Sequence, residues 1–150
     1  MTKRTLLRVV QNYVLNPPVK LLFALGIGRP GYALLETIGR KTGKPRRTPV
    51  GDGRVGNQFW IVSEHGMHSG YVRNIKRNPS VRLKVRKRLR WIWITGIAYL
   101  LSDDDPRERQ RWLARARPGT SSNSAIVRLL GTELLTVRID IDERSMQLLA

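Results

Sequence analysis

The chain has 150 residues and a formal net charge of +17, from 28 lysines and arginines against 11 aspartates and glutamates. Its length fits one domain, its hydrophobic fraction of 41% argues against disorder, and its lack of cysteine excludes disulfides, thiolate nucleophiles and cysteine-based metal sites. A surface this basic attracts polyanions such as nucleic acid, anionic lipid or a phosphorylated cofactor, and charge alone does not choose among them.

The start of the chain is predicted to be helical. Thr2–Leu15 carries leucines and valines at helical spacing beside basic side chains, and it ends at Asn16-Pro17-Pro18. Val19–Leu25 predicts a second, short helix. The first, amphipathic helix either docks on the rest of the domain or lies on an anionic membrane surface through residues 1–16. Neither an apolar segment long enough to cross a membrane nor a leader sequence is recognisable. We therefore expect a cytoplasmic protein, with at most peripheral contact with the inner membrane face.

The remainder of the chain is predicted to be mainly β. Alternating or β-branched segments indicate six strands, at Tyr32–Ile38, Thr48–Gly53, Gln58–Ser63, Val81–Val85, Leu89–Leu101 and Leu134–Ile141. Short helices are expected at Gly70–Lys76, from Pro106 to about Arg115 with Asp105 as its N-cap, and from Ser122 or Asn123 to Leu130. Because strands and helices do not alternate regularly, this order favours a small barrel over a parallel sheet.

The long strand Leu89–Leu101 places Trp91 and Trp93 on one face. Basic residues nearby provide the charge for holding single-stranded nucleic acid by phosphate pairing and base stacking. They are Arg82, Lys84, Arg86, Lys87, Arg88 and Arg90. Strand alternation is expected to turn these cations away from the tryptophans and to leave the tryptophans in the core, which disfavours nucleic acid as a partner.

A cationic segment joins the first two strands. Five positive side chains fall in the eight residues from Arg40 to Arg47, and Gly39 and Gly43 allow tight turns of the backbone. Charge-assisted donors and backbone N–H groups that point to one place are what an oxyanion such as phosphate requires. We therefore interpret the segment as an anion clamp between two strands, with a solvated basic hairpin loop as the alternative.

The segment from Gly39 to Pro49 resembles the signature of the deazaflavin-dependent nitroreductase family, whose members are split-barrel reductases that use coenzyme F420. The resemblance implies an α+β, FMN-binding-like split β-barrel over residues 32–141, with residues 1–28 as an N-terminal helical segment of the same domain. It also implies that the cofactor phosphate is held by this segment. The residues carried over are Lys41, Thr42, Arg46, Thr48 and Pro49.

A second segment, Tyr71-Val72-Arg73-Asn74-Ile75 followed by Asn78-Pro79, resembles the family's aromatic-x-x-Asn-hydrophobic motif. The resemblance implies that the end of the preceding strand borders the deazaflavin ring. The residues carried over there are Val62, Glu64, His65, Tyr71, Arg73 and Asn74.

Each of these residues also has a simpler interpretation. His65 is a candidate proton donor to the reduced substrate, because imidazole commonly acts as a general acid. A lone histidine at the end of a strand is more often an exposed turn residue or a hydrogen-bonding partner. In the simpler interpretation, Tyr71 packs on the short helix, Asn74 caps that helix, and Arg73 pairs with Glu64. In the functional interpretation, Asn74 fixes the loop or touches the cofactor. We expect no metal site.

The predicted activity is hydride transfer from reduced F420 to a quinone, an enone or a nitro-aromatic acceptor. Arg117–Ser124 lacks the tyrosines that line the substrate pocket of nitroimidazole-activating members, so substrate specificity is not inherited. An FMN-binding barrel, or a basic module that binds nucleic acid or membrane without catalysis, remains the alternative. The sequence leaves a monomer and a homodimer open.

Overall fold

The computed structural model describes residues 31–63, 65–116 and 133–150. The strands in these ranges are β1 Tyr32–Ile38, β2 Pro45–Gly51, β3 Arg54–Val55, β4 Gln58–Ser63, β5 Ser80–Lys87, β6 Arg90–Leu101 and β7 Leu135–Ile141. The helices are α1 Gly70–Arg77, α2 Pro106–Ala116 and α3 Glu143–Leu149, with a short 3-10 helix at Gly66–His68. The predictions for residues 1–28, for Glu64, for residues 117–124 and for the helix ending at Leu130 lie outside the described residues.

The strands form one sheet in the order β2-β1-β5-β6-β7-β4-β3, and every neighbouring pair is antiparallel. Neighbours in this order are often distant along the chain, as with β1 and β5. The sheet forms a half-barrel with short helices around it. The prediction of a mainly β split barrel is therefore confirmed.

Alternate residues of the strands point to one side and form the core. Its strand members include Ala33, Leu35, Phe59, Ile61, Val81, Leu83, Val85, Ile94, Val137 and Ile139. Helix α1 adds Val72 and Ile75 to this core, and α3 packs Met146 and Leu149 against it. This burial fixes α1 against β1 and β6, so that the polar residues of α1 keep a set distance from the loop that follows β1.

Strand β2 begins at Pro45, earlier than predicted. Arg46 pairs with Thr37 and Arg47 pairs with Glu36, so these two cations belong to a strand. Proline is tolerated in β2 because this strand lies at the edge of the sheet, where one side of the backbone needs no hydrogen-bond partner. The basic loop is therefore shorter than the sequence suggested.

The prediction that Trp91 and Trp93 lie in the core is wrong. Lys84 pairs with Trp93 across β5 and β6, and paired residues project to the same face, so the two side chains share the outer face. The guanidinium carbon of Arg82 lies 4.3 Å from the centroid of the Trp93 ring. Apolar residues of β6 project from both faces of the sheet, and the face that carries Ile94 is the one that packs in the core.

Helix α2 begins as predicted. The Asp105 carboxylate oxygen Oδ1 accepts hydrogen bonds from the backbone N–H groups of Arg107, at 3.1 Å, and Glu108, at 3.3 Å. These bonds satisfy N–H groups that have no partner within the first turn of a helix. The prediction of Asp105 as the N-cap is confirmed.

Neither a membrane-spanning helix nor a cluster of metal ligands is found in the described ranges. No helix there has the length and apolar character that crossing a membrane requires. No three potential metal ligands cluster in that part of the chain. His68 instead places its Nε2 atom 3.5 Å from Oε2 of Glu133.

A buried carboxylate anchors the outer face of β1. Glu36 is 5% exposed, and it accepts hydrogen bonds from Arg82, with Nε at 2.7 Å, and from Arg47, with Nε at 3.0 Å. The Arg82 hydrogen bond lowers the pKa of Glu36; burial acts in the opposite direction, and Arg47 adds to the lowering. The carboxylate therefore remains charged and ties β1 to both neighbouring strands.

Replacing Glu36 with glutamine is expected to lower the free energy of unfolding at neutral pH by about 1–3 kcal/mol, because charge-assisted hydrogen bonds are lost in a buried place. The lowered pKa means that this contribution is present above the ordinary glutamate pKa and is lost as the pH falls through the folded value. Urea denaturation should therefore show a difference between wild type and Glu36→Gln that shrinks in acid. Glu108→Gln is the control, since the Glu108–Arg111 pair is exposed and such surface pairs contribute little to stability. Equal losses in both variants would contradict the argument.

Candidate functional site

The basic loop, residues 39–44, is closed by its own backbone. The Gly39 N–H donates to the Lys44 carbonyl and the Gly43 N–H donates to the Gly39 carbonyl, each at 2.8 Å. Gly43 has φ +71, which favours glycine, and a Cβ on Gly39 would lie 3.0 Å from the Lys44 carbonyl oxygen. The N–H groups of Gly39 and Gly43 are therefore used within the loop and are not available to an anion.

Asn74 connects α1 to this loop. Its carboxamide oxygen accepts hydrogen bonds from the backbone N–H of Arg40 and from the Arg40 guanidinium, each at 3.1 Å. Its amide nitrogen donates to the Thr37 hydroxyl at 3.0 Å. Asn74 is only 4% exposed. The geometry matches the interpretation in which Asn74 fixes the loop.

A cleft of about 620 Å³ opens between the loop and α1. Its lining residues are Arg40, Lys41, Met67, Arg73, Lys76 and Arg77. Five of these six carry a positive charge and none is a carboxylate. The Arg73 Nε donates to the Met67 carbonyl at 3.2 Å, which orients one of the guanidinium groups. This cleft is shallow and largely open to solvent, and its composition suits a ligand that carries several negative charges.

The structure separates the clamp residues predicted from the sequence. Lys41 lines the cleft, and Thr42 lies in the loop, where its hydroxyl accepts from the Lys44 N–H at 3.3 Å. Arg46 and Thr48 lie on β2, opposite Thr37 and Leu35, and so project to the side of the sheet that carries the core. Pro49 lies opposite Leu34 and projects to the outer face.

The residues predicted near the cofactor ring lie at the end of β4 and on α1. Val62 is half-buried opposite Thr136 in β7. His65 is half-buried and forms an isolated bridge with Glu133. Tyr71 is in the first turn of α1 and packs against the core. Arg73 follows it in the cleft.

Two buried serines hold the turn between β4 and α1. The Ser63 and Ser69 hydroxyl oxygens are 2.8 Å apart. Ser63 Oγ also donates to the Gly66 carbonyl at 3.4 Å. These contacts fix the segment that carries His65 relative to the helix that carries Arg73.

Sequence reasoning missed Arg40, Lys76 and Arg77 as cleft residues. Arg73, Lys76 and Arg77 have the spacing i, i+3, i+4, which places them along one side of a helix. The sequence predicts a helix at Gly70–Lys76, so the shared side of these cations could be predicted from their spacing. The position of the helix beside the basic loop could not be predicted, because long-range packing sets it.

Comparisons with known proteins point to one family. The sequence profile of the family described as F420H(2)-dependent quinone reductase matches residues 19–142. A 61-residue segment, 39% of this chain, is 38% identical to the F420H(2)-dependent quinone reductase Rv1261c of Mycobacterium tuberculosis H37Rv. The matched segment spans 41% of that relative's length.

Solved structures share the fold. The conserved hypothetical protein Rv2991 from Mycobacterium tuberculosis superposes with a TM-score of 0.55 at 19% identity, over 83% of this chain and 79% of that one. The F420-H2 dependent reductase FDR-A superposes with a TM-score of 0.51 at 23% identity, over 75% of this chain and 95% of that one. At such low identity these likenesses bear on the fold alone.

Proposed function

Because the chain belongs to the F420H(2)-dependent quinone reductase family, we propose that it is an oxidoreductase that uses reduced coenzyme F420 to reduce a quinone. Enone and nitro-aromatic compounds are further candidate acceptors. The observation that carries the proposal is the cleft between the basic loop and α1, with five cationic residues and no carboxylate among its lining. We further propose a cytoplasmic location for the enzyme.

The residues of the cleft fit the charge of this cofactor. F420 carries a phosphate and an oligoglutamate tail, so it presents several negative charges along one arm. The cations that line the cleft come from two elements, the loop with Arg40 and Lys41 and the helix with Arg73, Lys76 and Arg77. Guanidinium and ammonium groups bind phosphate and carboxylate oxygens through charge-assisted hydrogen bonds.

We assign separate roles to the residues that would hold the phosphate and to those that would lie near the ring. Lys41 and Thr42 would hold the phosphate, with Arg46 and Thr48 of the neighbouring strand assisting. When bound, the reduced deazaflavin supplies the hydride from its own ring. A further group, made up of Val62, His65, Tyr71 and Arg73, would position and shield the ring, with Arg73 stabilising negative charge and His65 donating a proton to the reduced acceptor.

Titration with F420, followed by tryptophan fluorescence, tests the assignment. We expect Lys41→Ala and Arg77→Ala each to weaken binding about tenfold, because each removes a charge-assisted contact. Added salt should weaken binding by the wild type, since the lining cations are accessible to counterions.

The matched control is Arg107→Ala, which removes an exposed arginine on α2 that does not line the cleft. Affinity in this variant should equal that of the wild type. Unchanged affinity in both cleft variants would contradict the cleft assignment. Binding of FMN as tight as that of F420, without reduction of a soluble quinone by F420H2, would favour the FMN-binding alternative instead.

A further inference from the structure

The hairpin between β5 and β6 ends in an exposed apolar residue. Lys87 pairs with Arg90, so the turn consists of Arg88 and Leu89 alone. Leu89 is 89% exposed, the highest exposure among the large hydrophobic residues of the described ranges. Packing against the described residues therefore does not account for a leucine at this position.

Turn chemistry does not account for these two residues either. Arg88 has φ 55, in the left-handed region that favours glycine or asparagine. Two-residue hairpin turns prefer Asn-Gly, Asp-Gly or Gly-containing pairs for the same reason. The chain instead has a charged and an apolar residue at the tip, against local preference. Departures of this kind are typical of functional positions.

Cations surround the exposed leucine. Arg86, Lys87, Arg88 and Arg90 are its near neighbours in sequence. Lys87 donates to the carbonyls of Leu148 and Ala150, each at 2.8 Å, and the Arg86 Nε donates to the Arg88 carbonyl at 2.9 Å. Within the part of the chain that the structure describes, no ion pair joins any of the four to an aspartate or glutamate. The tip therefore presents the positive charge of Arg86, Arg88 and Arg90 around an apolar side chain.

Aromatic side chains lie on the outer face next to the tip. Trp91 follows directly after Arg90, and Trp93 lies two residues further along the same face of β6. Both are half-buried. Tryptophan near an apolar tip and a ring of cations is the composition found where proteins contact the boundary between lipid headgroups and acyl chains.

We infer that this hairpin tip is a docking surface for an anionic lipid bilayer. Leu89 enters the boundary between headgroups and acyl chains, and Arg86, Arg88 and Arg90 bind the lipid phosphates. The charge of the tip and the apolar side chain at its apex complement the two layers of such a membrane. This inference concerns a surface separate from the cleft and does not depend on the proposed activity.

Single-stranded nucleic acid fits the same surface less well. Base stacking requires an accessible aromatic face, and the Trp93 ring is already contacted by Arg82, at 4.3 Å, and by Lys84, at 5.8 Å. An exposed leucine at the tip adds little to the binding of a phosphate backbone. A lipid surface uses both the leucine and the arginines.

Cosedimentation with vesicles tests this inference in the full chain. We expect binding to vesicles of phosphatidylcholine mixed with phosphatidylglycerol, and little binding to phosphatidylcholine alone. Leu89→Ser should lower the partition coefficient about fivefold, through the lost apolar contact. The double variant Arg88→Gln/Arg90→Gln should lower it about twentyfold, because each cation near an anionic surface contributes roughly a factor of five.

Matched controls place the same changes elsewhere. Ile97→Ser alters an isoleucine that is 40% exposed and pairs with Ser80, at the end of the β5–β6 pair away from the tip. Arg107→Gln alters an exposed arginine on α2. Both should bind vesicles like the wild type. The inference is overturned if the tip variants bind within twofold of the wild type, if the controls lose as much, or if a single-stranded oligonucleotide binds independently of Leu89 and more tightly than the vesicles. F420 titration of the same tip variants should be unchanged, so a failure here is distinguishable from a failure of the proposed activity.

Discussion

Replacing Asn74 with alanine is expected to weaken F420 binding at least tenfold and to lower the free energy of unfolding by about 1–3 kcal/mol. The affinity falls because the basic loop loses the side chain that ties Arg40 to α1, at 3.1 Å from both the backbone N–H and the guanidinium. The stability falls because the Thr37 hydroxyl, which is almost fully buried, loses its partner. Fluorescence titration and urea denaturation measure the two effects.

Measuring both affinity and stability distinguishes a role of Asn74 in positioning the basic loop from a purely structural role. Asn78→Ala is the control, because Asn78 lies just after the same helix and its side chain accepts an exposed hydrogen bond from the Ser80 N–H at 3.1 Å. That variant should keep full affinity and lose little stability. An Asn74→Ala protein that unfolds more easily but still binds F420 like the wild type would show that the loop does not need Asn74 for its function.

Replacing Gly53 with alanine is expected to cost about 3 kcal/mol or more of folding free energy. A Cβ at this position would lie 1.9 Å from the carbonyl oxygen of Trp60. The Trp60 N–H donates to the Gly53 carbonyl at 3.0 Å, so the two backbones are held together. Because the obstacle is backbone and not a flexible side chain, the β3–β4 region must move to relieve the contact. Thermal or urea denaturation gives the loss.

Gly70→Ala is the matched control for this prediction. Its added Cβ would meet nothing within 4 Å. Gly70 is the first residue of α1, where alanine is well tolerated, so stability should change by about 1 kcal/mol or less. Comparable losses in the two variants would mean that close approach at Gly53 is not the cause.

The alternation of β7 and the acidic cap of α2 show what could be predicted locally. In Leu135–Ile141, one set of alternate residues is apolar and the other polar, so the sequence indicates both the strand and its buried face. Asp105 followed by Pro106 indicates the helix start through a local hydrogen bond. The resemblance carried by the basic segment and by the motif around Asn74 then indicated the family.

Strand β6 shows where the same reasoning failed. Alternation groups Trp91 with Trp93 and Ile92 with Ile94, but both groups are apolar, so the pattern does not say which faces the core. Pairing with β5 and β7 decides it, because the interior must accept the side chains of all strands at once. Both tryptophans consequently lie on the outer face, opposite to the expectation, and the Trp93 ring contacts Arg82 there.

The sequence by itself determined the fold class, the basic loop and the family, because strand periodicity, capping and a contiguous motif are local properties of the chain. The tertiary structure alone decided which cations share a cleft. Lys41 and Arg77 are far apart in sequence, and they meet because Val72 and Ile75 bury one side of α1 against the barrel. It also decided that the Arg40 N–H of the loop donates to Asn74 on α1. Such contacts depend on packing between distant segments, which no local pattern specifies.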